Sequence, residues 1–326
     1  MAERKAASPL RIILVTALGA LAFVALAALF AHLLQPMSPA KANLPDGAAE
    51  HDDDAAVPEQ IAASSADMSG RRDEDAGRQA DAEAGAADTK PPATAPLPDG
   101  PLLAIVVTEL GFNPASDRAA IERLPEGISF TFTPYAEGAR ALAEAARQQG
   151  HDAFLSVPME PVSYPRVSPG RHTLLRRADA DANREALEWA LGRFGSLDGV
   201  TGMMGSGFTQ DEAALAPIMA ALGQKDLVFI DQKASPRSVA DRVARDAGVP
   251  ARANDIFLDE PATEASVRRR LDGLIAKAKA RGYAIGYARP IPVSVDALAE
   301  LSARAEAEGI TLIGAARLAR GLAEDG

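Results

Sequence analysis

The chain of 326 residues has no cysteine, which excludes disulfide bonds, thiolate metal sites and a cysteine nucleophile. Histidine is almost as scarce, because only four occur and two of them precede residue 100. A metal centre built from several histidines is therefore excluded as well. The sequence also lacks an excess of positive charge: its formal net charge is -11, so it gives no electrostatic reason to bind nucleic acid.

The longest apolar run covers residues 12–34 and holds only two clearly polar side chains, those of Thr16 and His32. As a helix it would be about 34 Å long, enough to cross a bilayer, whereas a cleaved signal peptide has an apolar region of only ~7 to 15 residues. Three basic residues lie in residues 1–11, so the positive-inside rule places that segment in the cytoplasm. We therefore expect a single-pass inner-membrane anchor, with the rest of the chain in the periplasm.

Residues 35–100 are predicted to be a disordered linker rich in Ala and Pro. They contain 14 acidic and 5 basic residues, eight prolines and no Phe, Trp or Tyr. A stretch of this composition cannot bury enough apolar surface to offset the entropy lost on ordering. Residues 101–326 remain as one globular domain with a net charge of -4.

The domain alternates between short apolar runs and amphipathic stretches with helical spacing. The predicted strands are Leu103–Val107, Ile128–Phe132, Ala153–Val157, Gly199–Met203, Leu227–Ile230, Ala284–Ala288 and Thr311–Gly314. The predicted helices are Tyr135–Gln149, Asp181–Phe194, Asp211–Leu222, Arg237–Asp246, Pro261–Arg281 and Val293–Glu308. This alternation predicts an α/β fold with about seven parallel strands, and we favour a barrel over an open doubly wound sheet.

Candidate site residues follow these strands, because parallel α/β folds place their sites at the carboxyl ends of the strands. Glu109 and Asp231 are the candidate catalytic residues, as a pair of carboxylates for acid/base chemistry. The candidate ligand-binding residues are Ser156, Glu160, Met203, Ser206, Arg237 and Arg289.

Four separated motifs resemble those of the divergent polysaccharide deacetylase family. They are Val157–Pro161, Met203–Thr209, Asp231–Ser238 and Ile256–Asp259, and the resemblance covers about residues 102–320. It implies a distorted NodB-like β/α barrel. The activity that it implies is the metal-assisted removal of acetyl groups from an N-acetylated sugar polymer.

The sequence departs from the family at the positions of the family's metal site. These positions hold Thr108, Glu109, Ser156, Met203, Arg289 and Asp231. The resemblance implies aspartates at the first two and histidines at the next three, so only the last is unchanged. Because a thioether and a guanidinium do not suit a divalent ion such as zinc, we expect no metal cofactor.

Three hypotheses for function follow. The leading one is a membrane-anchored protein of carbohydrate and cell-envelope metabolism that keeps the deacetylase fold, is catalytically impaired, and binds a glycan, a peptidoglycan fragment or an envelope protein. The alternative is an active deacetylase of N-acetylated glycans, with zinc or a similar ion in an altered, carboxylate-rich site. The third is a purely structural domain that its linker holds away from the membrane.

Other side chains carry weaker expectations. Tyr135, Tyr164 and Tyr287 lie in or near the loops at the strand ends, where a tyrosine can stack against a sugar ring. His151 and His172 are predicted to be ordinary surface residues.

Overall fold

The computed structural model describes residues 96–324, so the predictions for residues 1–11, for the anchor at 12–34 and for most of the linker lie outside the described residues. No helix within this described range is both long and apolar enough to cross a membrane. The first described residues contact the domain, since Leu97 packs against Gly321 and the carbonyl of Pro96 accepts a hydrogen bond from Arg317.

Between residues 96 and 324 the strands form one parallel sheet. They are β1 (Leu102–Leu110), β2 (Ile128–Phe132), β3 (Asp152–Met159), β4 (Gly199–Met204), β5 (Val228–Asp231), β6 (Ala251–Ala253), β7 (Ile256–Phe257), β8 (Tyr283–Ala288) and β9 (Thr311–Leu312). Their order is β6-β5-β4-β3-β2-β1-β8-β7, with β9 paired to the start of β1. All seven predicted strands are therefore present, and the predicted parallel arrangement is confirmed.

Helices connect most of these strands. They are α1 (Pro114–Arg123), α2 (Ala139–Gln148), α3 (Ala180–Leu191), α4 (Glu212–Gly223), α5 (Ala240–Asp246), α6 (Glu264–Arg281), α7 (Pro292–Ala299), α8 (Leu301–Ala307) and α9 (Ala315–Glu324). The helix predicted over Val293–Glu308 is two helices that meet at Glu300. Helices α1 and α9 were not predicted.

The sheet is curled, and its two edge strands, β6 and β7, follow one another in the chain. Only Asn254 and Asp255 separate them. The Asn254 N–H donates to the carbonyl of Asp231 on one side, and the Asp255 N–H donates to the carbonyl of Ile285 on the other. We call residues 251–257 the seam. The expected barrel is thus a curled half-barrel whose edges are joined by the chain instead of by a continuous hydrogen-bond ladder.

The sheet packs between two apolar layers, because successive side chains of a strand point to opposite faces. Leu103, Ile105 and Val107 of β1 belong to the larger core cluster beneath the outer helices. Their neighbours Leu102, Ala104 and Val106 belong to a second cluster, which includes residues of α9. Helix α9 contacts β1 and β2 as well as β5 and β6, which are far apart in the sheet order. It therefore lies on the concave side of the sheet.

Candidate functional site

The carboxyl ends of the strands and the loops that follow them form an edge that we call the mouth. Three of the four non-glycine residues with positive φ in the described range lie there: Glu109 at 65°, Met204 at 60° and Lys233 at 58°. A non-glycine residue in this conformation is strained, and such residues concentrate at functional sites. The backbone itself therefore marks the mouth as the candidate site.

Glu109 lies in a distortion at the end of β1, where the pairing with β2 shifts register between Val107 and Leu110. Its N–H donates to the hydroxyl of Thr131 over 3.0 Å, and its side chain is exposed. A local bulge of this kind redirects a side chain out of the sheet. This candidate carboxylate therefore faces solvent at the mouth.

Ser156 lies at a buried position of β3. Its hydroxyl is 2.7 Å from the hydroxyl of Thr131, which also accepts the hydrogen bond from Glu109. The ends of β1, β2 and β3 are linked by this chain of polar groups. Ser156 is therefore part of the scaffold of the mouth, and its hydroxyl is not exposed to an incoming ligand.

Met203 and Ser206 flank the turn that follows β4. The Met203 side chain is only 6% exposed, whereas the neighbouring Met204 is 38% exposed. The Ser206 hydroxyl accepts a hydrogen bond from the N–H of Val162, which ties the loop after β3 to the turn after β4. Gly205 has a φ of 78°, and a Cβ there would lie 3.0 Å from the Cβ of Met159. This glycine is required for the tight turn.

Glu160 is a positioning residue. Its carboxylate accepts hydrogen bonds from the backbone N–H and the guanidinium of Arg176, at 2.8 and 2.9 Å. Its carbonyl accepts the N–H groups of Gly207 and Phe208. Glu160 thereby fixes the loop after β3 against the turn after β4.

Asp231 ends β5 and is 1% exposed. One carboxylate oxygen accepts the Lys233 N–H over 2.8 Å, and the other accepts the Ser238 hydroxyl over 2.7 Å. The ammonium of Lys233 lies 3.5 Å from the second oxygen. Arg237, nearby in the same loop, is exposed. Both oxygens of this candidate catalytic carboxylate are thus occupied within the protein, whereas the carboxylate of Glu109 is exposed.

Arg289 is held by Asp259, which was not among the predicted site residues. One oxygen of Asp259 accepts the N–H and the Nε–H of Arg289 at 2.9 and 3.0 Å, and the hydroxyl of Ser294 at 3.3 Å. Its other oxygen is buried and has no hydrogen-bond partner among the described residues. The only sequence signal was that Asp259 ends the fourth family-like motif.

Of the three candidate tyrosines, only Tyr164 is exposed, at 38%. Tyr287 is fully buried, and its hydroxyl lies 3.0 Å from that of Thr201 inside the curled sheet. Burial raises the pKa of the Tyr287 hydroxyl far above its ordinary value. The prediction that Tyr287 is available to a sugar is therefore wrong, because alternation along β8 turns its ring into the core.

The two histidines of the domain also differ from expectation. His151 is 1% exposed, with its ring nitrogens 3.1 and 3.3 Å from the carbonyls of Ile128 and Ile121. Burial lowers the pKa of this imidazole. His172 is half-buried and stacks on Trp189 with ring centroids 3.7 Å apart. The surface prediction is wrong for His151, whose ring packs edge-on against Phe130.

Comparison with known proteins identifies the family of this chain. The sequence profile of divergent polysaccharide deacetylases matches residues 105–319. The chain belongs to the divergent polysaccharide deacetylase family. An uncharacterized protein of Haemophilus influenzae is 34% identical over 218 residues, which cover 67% of this chain and 76% of that protein. The uncharacterized protein YibQ of Escherichia coli K12 is 27% identical over 199 residues, 61% of either chain.

A solved structure shows the same fold. The crystal structure of an uncharacterized protein from Agrobacterium tumefaciens C58 is similar, with 32% identity and a TM-score of 0.66. The similarity covers 70% of this chain and 92% of that one. The curled parallel sheet is thus the NodB-like fold that the sequence motifs implied.

The divergent deacetylase family implies a metal ion, and the side chains at the mouth do not fit one. Asp231 already uses both oxygens, Met203 and Ser156 are buried, and Arg289 adds a fixed positive charge. Among residues 96–324, no three His, Asp or Glu side chains are grouped closely enough to hold an ion. Divalent ions such as zinc require about three such ligands.

Apolar side chains surround the mouth of this deacetylase-like domain. Five large hydrophobic side chains are exposed in the described range, and all lie at strand ends or in the loops after them: Phe112, Val162, Tyr164, Val167 and Met204. Exposed apolar residues that are concentrated in one region mark a binding surface more often than scattered ones do. The geometry of the mouth therefore suits binding better than it suits metal chemistry.

Proposed function

We propose that this divergent deacetylase homologue is catalytically impaired and binds an N-acetylated glycan of the cell envelope at its mouth. The observation that carries the proposal is how the residues at the positions of the family's metal site are buried and bonded. Ser156 is bound to Thr131, Met203 is buried, and Arg289 is held by a buried carboxylate. These side chains serve the scaffold, and the exposed apolar residues around them supply a surface for a ligand.

The loop after β3 favours a glycan that carries carboxylates, such as a peptidoglycan fragment. Residues 161–177 contain four arginines and no acidic residue. Among the described residues only Arg176 has a carboxylate partner, Glu160, and all four arginines are exposed. In a domain with a net charge of -4, this loop is a local concentration of positive charge beside the exposed ring of Tyr164. A ring that stacks on sugars next to arginines suits an anionic glycan.

Titration calorimetry with the full-length protein tests the proposal. We expect peptidoglycan fragments to bind more tightly than neutral chitooligosaccharides, and Tyr164→Ala to weaken this binding by about tenfold, since loss of one stacked ring corresponds to about 1.4 kcal/mol. Gln149→Ala, an exposed change beyond the carboxyl end of α2, is the control and leaves binding unchanged. Acetate release from either substrate that a chelator abolishes would overturn the proposal.

The alternative is an active deacetylase with a carboxylate-rich site, and the exposed carboxylate of Glu109 is the feature that favours it. It requires a stoichiometric divalent ion in the purified protein that is lost on Glu109→Ala or Asp231→Ala. Elemental analysis separates the two functions. A purely structural domain would instead show no glycan binding. Its function in the cell would be lost when the linker over residues 35–100 is shortened.

We also propose that residues 12–34 anchor the protein in the inner membrane with the domain in the periplasm. The apolar run and the basic residues before it support this placement. Protease added to spheroplasts should digest the domain, and protection of the domain would contradict the proposal.

A further inference from the structure

A cavity lies beside the seam. It has a volume of about 740 Å³ and is bounded by β6 and the residues before it, the start of β8 and the end of α9. We call it the seam pocket. Cavities of roughly 300 to 1,000 Å³ are typical of sites for small molecules. Of the mouth residues described above, it shares only Lys233.

Positive charge dominates the lining of the seam pocket. Its charged residues are Lys233, Arg245, Arg252, Arg281, Asp241 and Asp255. Four cations thus face two carboxylates, in a domain whose net charge is negative. Such a local imbalance attracts anions.

Both carboxylates of the seam pocket already have cationic partners. Asp241 lies 3.3 Å from the ammonium of Lys233 and 3.1 Å from the guanidinium of Arg245. Although burial acts to raise it, the pKa of Asp241 is lowered by these two cations. Asp255 is held by both terminal nitrogens of Arg281, at 3.0 and 2.6 Å. Of the four cations, Arg252 alone has no carboxylate partner in the described part of the chain.

Arg252 is half-buried, and no ion pair joins it to an acidic side chain of the described part of the chain. Its guanidinium donates to the carbonyl of Ala251 over 2.6 Å and interacts with the hydroxyl of Tyr283. Burial lowers the pKa of Arg252. A partly desolvated guanidinium without a carboxylate is unfavourable unless an anion completes its hydrogen bonds.

Apolar side chains form part of the wall of the seam pocket, with Val249, Pro250 and Leu322 among them. The ring of Tyr283 is fixed by the guanidinium of Arg281, which lies 4.1 Å above its centre. We propose that the seam pocket binds a small organic molecule through a phosphate or carboxylate group, with Arg252 and the Tyr283 hydroxyl contacting the anion and the apolar wall contacting the rest of the ligand.

Calorimetry with the full-length protein tests this site. The probes are inorganic phosphate, glucose 6-phosphate and glucuronate, which separate a phosphate from a carboxylate ligand. We expect at least one sugar anion to bind more tightly than inorganic phosphate, and Arg252→Gln to weaken it by about tenfold or more, as expected for a charge-assisted hydrogen bond. Arg118→Gln removes an exposed arginine outside the pocket and leaves binding unchanged.

Tyr283→Phe provides a second variant, because it removes only a hydroxyl and preserves the ring under Arg281. It should weaken binding about threefold to tenfold, in line with the loss of one hydrogen bond. Absence of binding by all three probes, or equal binding by the wild type and Arg252→Gln, would overturn the inference. Neither variant should alter glycan binding at the mouth, so failure here is distinguishable from failure of the proposed function.

The residues that follow the pocket in the sequence supply a further test. Leu322 and Ala323 line the pocket, and the acidic residues Glu324 and Asp325 come next. A double variant, Glu324→Gln with Asp325→Asn, should bind the probes as the wild type does. If the probes bind only to that variant, the pocket accepts the chain's own acidic residues, and the proposal of a separate ligand is wrong.

Discussion

Asp255 is predicted to be the side chain on which the closure of the curled sheet depends most. It lies in the seam with its carboxylate only 8% exposed. One oxygen accepts the backbone N–H of Ile285 in β8 over 2.9 Å, and both oxygens accept from Arg281. Lys277 approaches to 3.2 Å. A single carboxylate thus joins the seam to β8 and to the end of α6.

The cost of Asp255→Ala follows from these contacts. The buried N–H of Ile285 loses its acceptor, which costs about 1–3 kcal/mol. The side chains of Arg281 and Lys277 are 41% and 46% exposed, so solvent screens their ion pairs to about 0.5 kcal/mol each. We expect the free energy of unfolding to fall by about 3 kcal/mol and Tm to fall by roughly 6–12 °C.

Urea denaturation followed by circular dichroism measures this effect on the full-length protein at pH 7. Asp246→Ala is the matched control, because its carboxylate is 62% exposed and pairs with Arg242 on the surface. Its loss should cost less than about 1 kcal/mol. Asp255→Asn retains an oxygen for the N–H of Ile285 and should be intermediate. If Asp255→Ala is no less stable than Asp246→Ala, the reasoning about the seam is refuted.

Further expected outcomes concern the interior and the mouth. Burial lowers the pKa of His151, so its contribution to stability is present above the unfolded pKa of about 6.5 and is lost as pH falls towards the folded pKa. His151→Gln should therefore flatten the decline of the free energy of unfolding between about pH 5 and 7, as measured by denaturation. A decline with the same slope in the variant would contradict the assignment. A Cβ on Gly199 would lie 2.6 Å from a backbone carbonyl oxygen, so Gly199→Ala should lower the free energy of unfolding by about 2 kcal/mol or more. Gly273→Ala, in open space on α6, should raise it by about 0.5–1 kcal/mol, and equal effects of the two changes would be inconsistent with the packing described. Glu160→Gln should speed hydrogen exchange of the Arg176 amide about tenfold, since that N–H loses a charged acceptor, while exchange at the same rate as in the wild type would show that the contact is dispensable.

The central strands were predictable because each is a short apolar run with both faces buried. The strands β6 and β7 were not, since they have three and two residues and show no periodic pattern. Helix α1 was missed for a related reason: it buries only Asp117, Ala120 and Ile121, so its apolar stripe is weak. The curl of the sheet is confirmed, but its closure through two consecutive residues has no sequence signature.

At the site, the sequence predicted the position of the mouth but not the hydrogen bonds and backbone conformation of its residues. It could not show that both oxygens of Asp231 are occupied, because Ser238 reaches it only through the fold of the loop. The positive φ angles of Glu109 and Met204 were also hidden, since neither is the glycine that usually marks such a conformation. Whether Glu109 and Asp231 form an acid/base pair stays a prediction.

The seam fixes the distance between the two edge strands of the curled sheet. Hydrogen-bond ladders can slip or fray. The covalent link through Asn254 and Asp255, by contrast, holds the edge strands β6 and β7 at a separation set by two residues. Inserting two glycines between Asn254 and Asp255 would leave every strand pair intact and yet allow the two edge strands to move apart. The spacing of these two edge strands is therefore set by the length of one short connection as well as by the side chains around it.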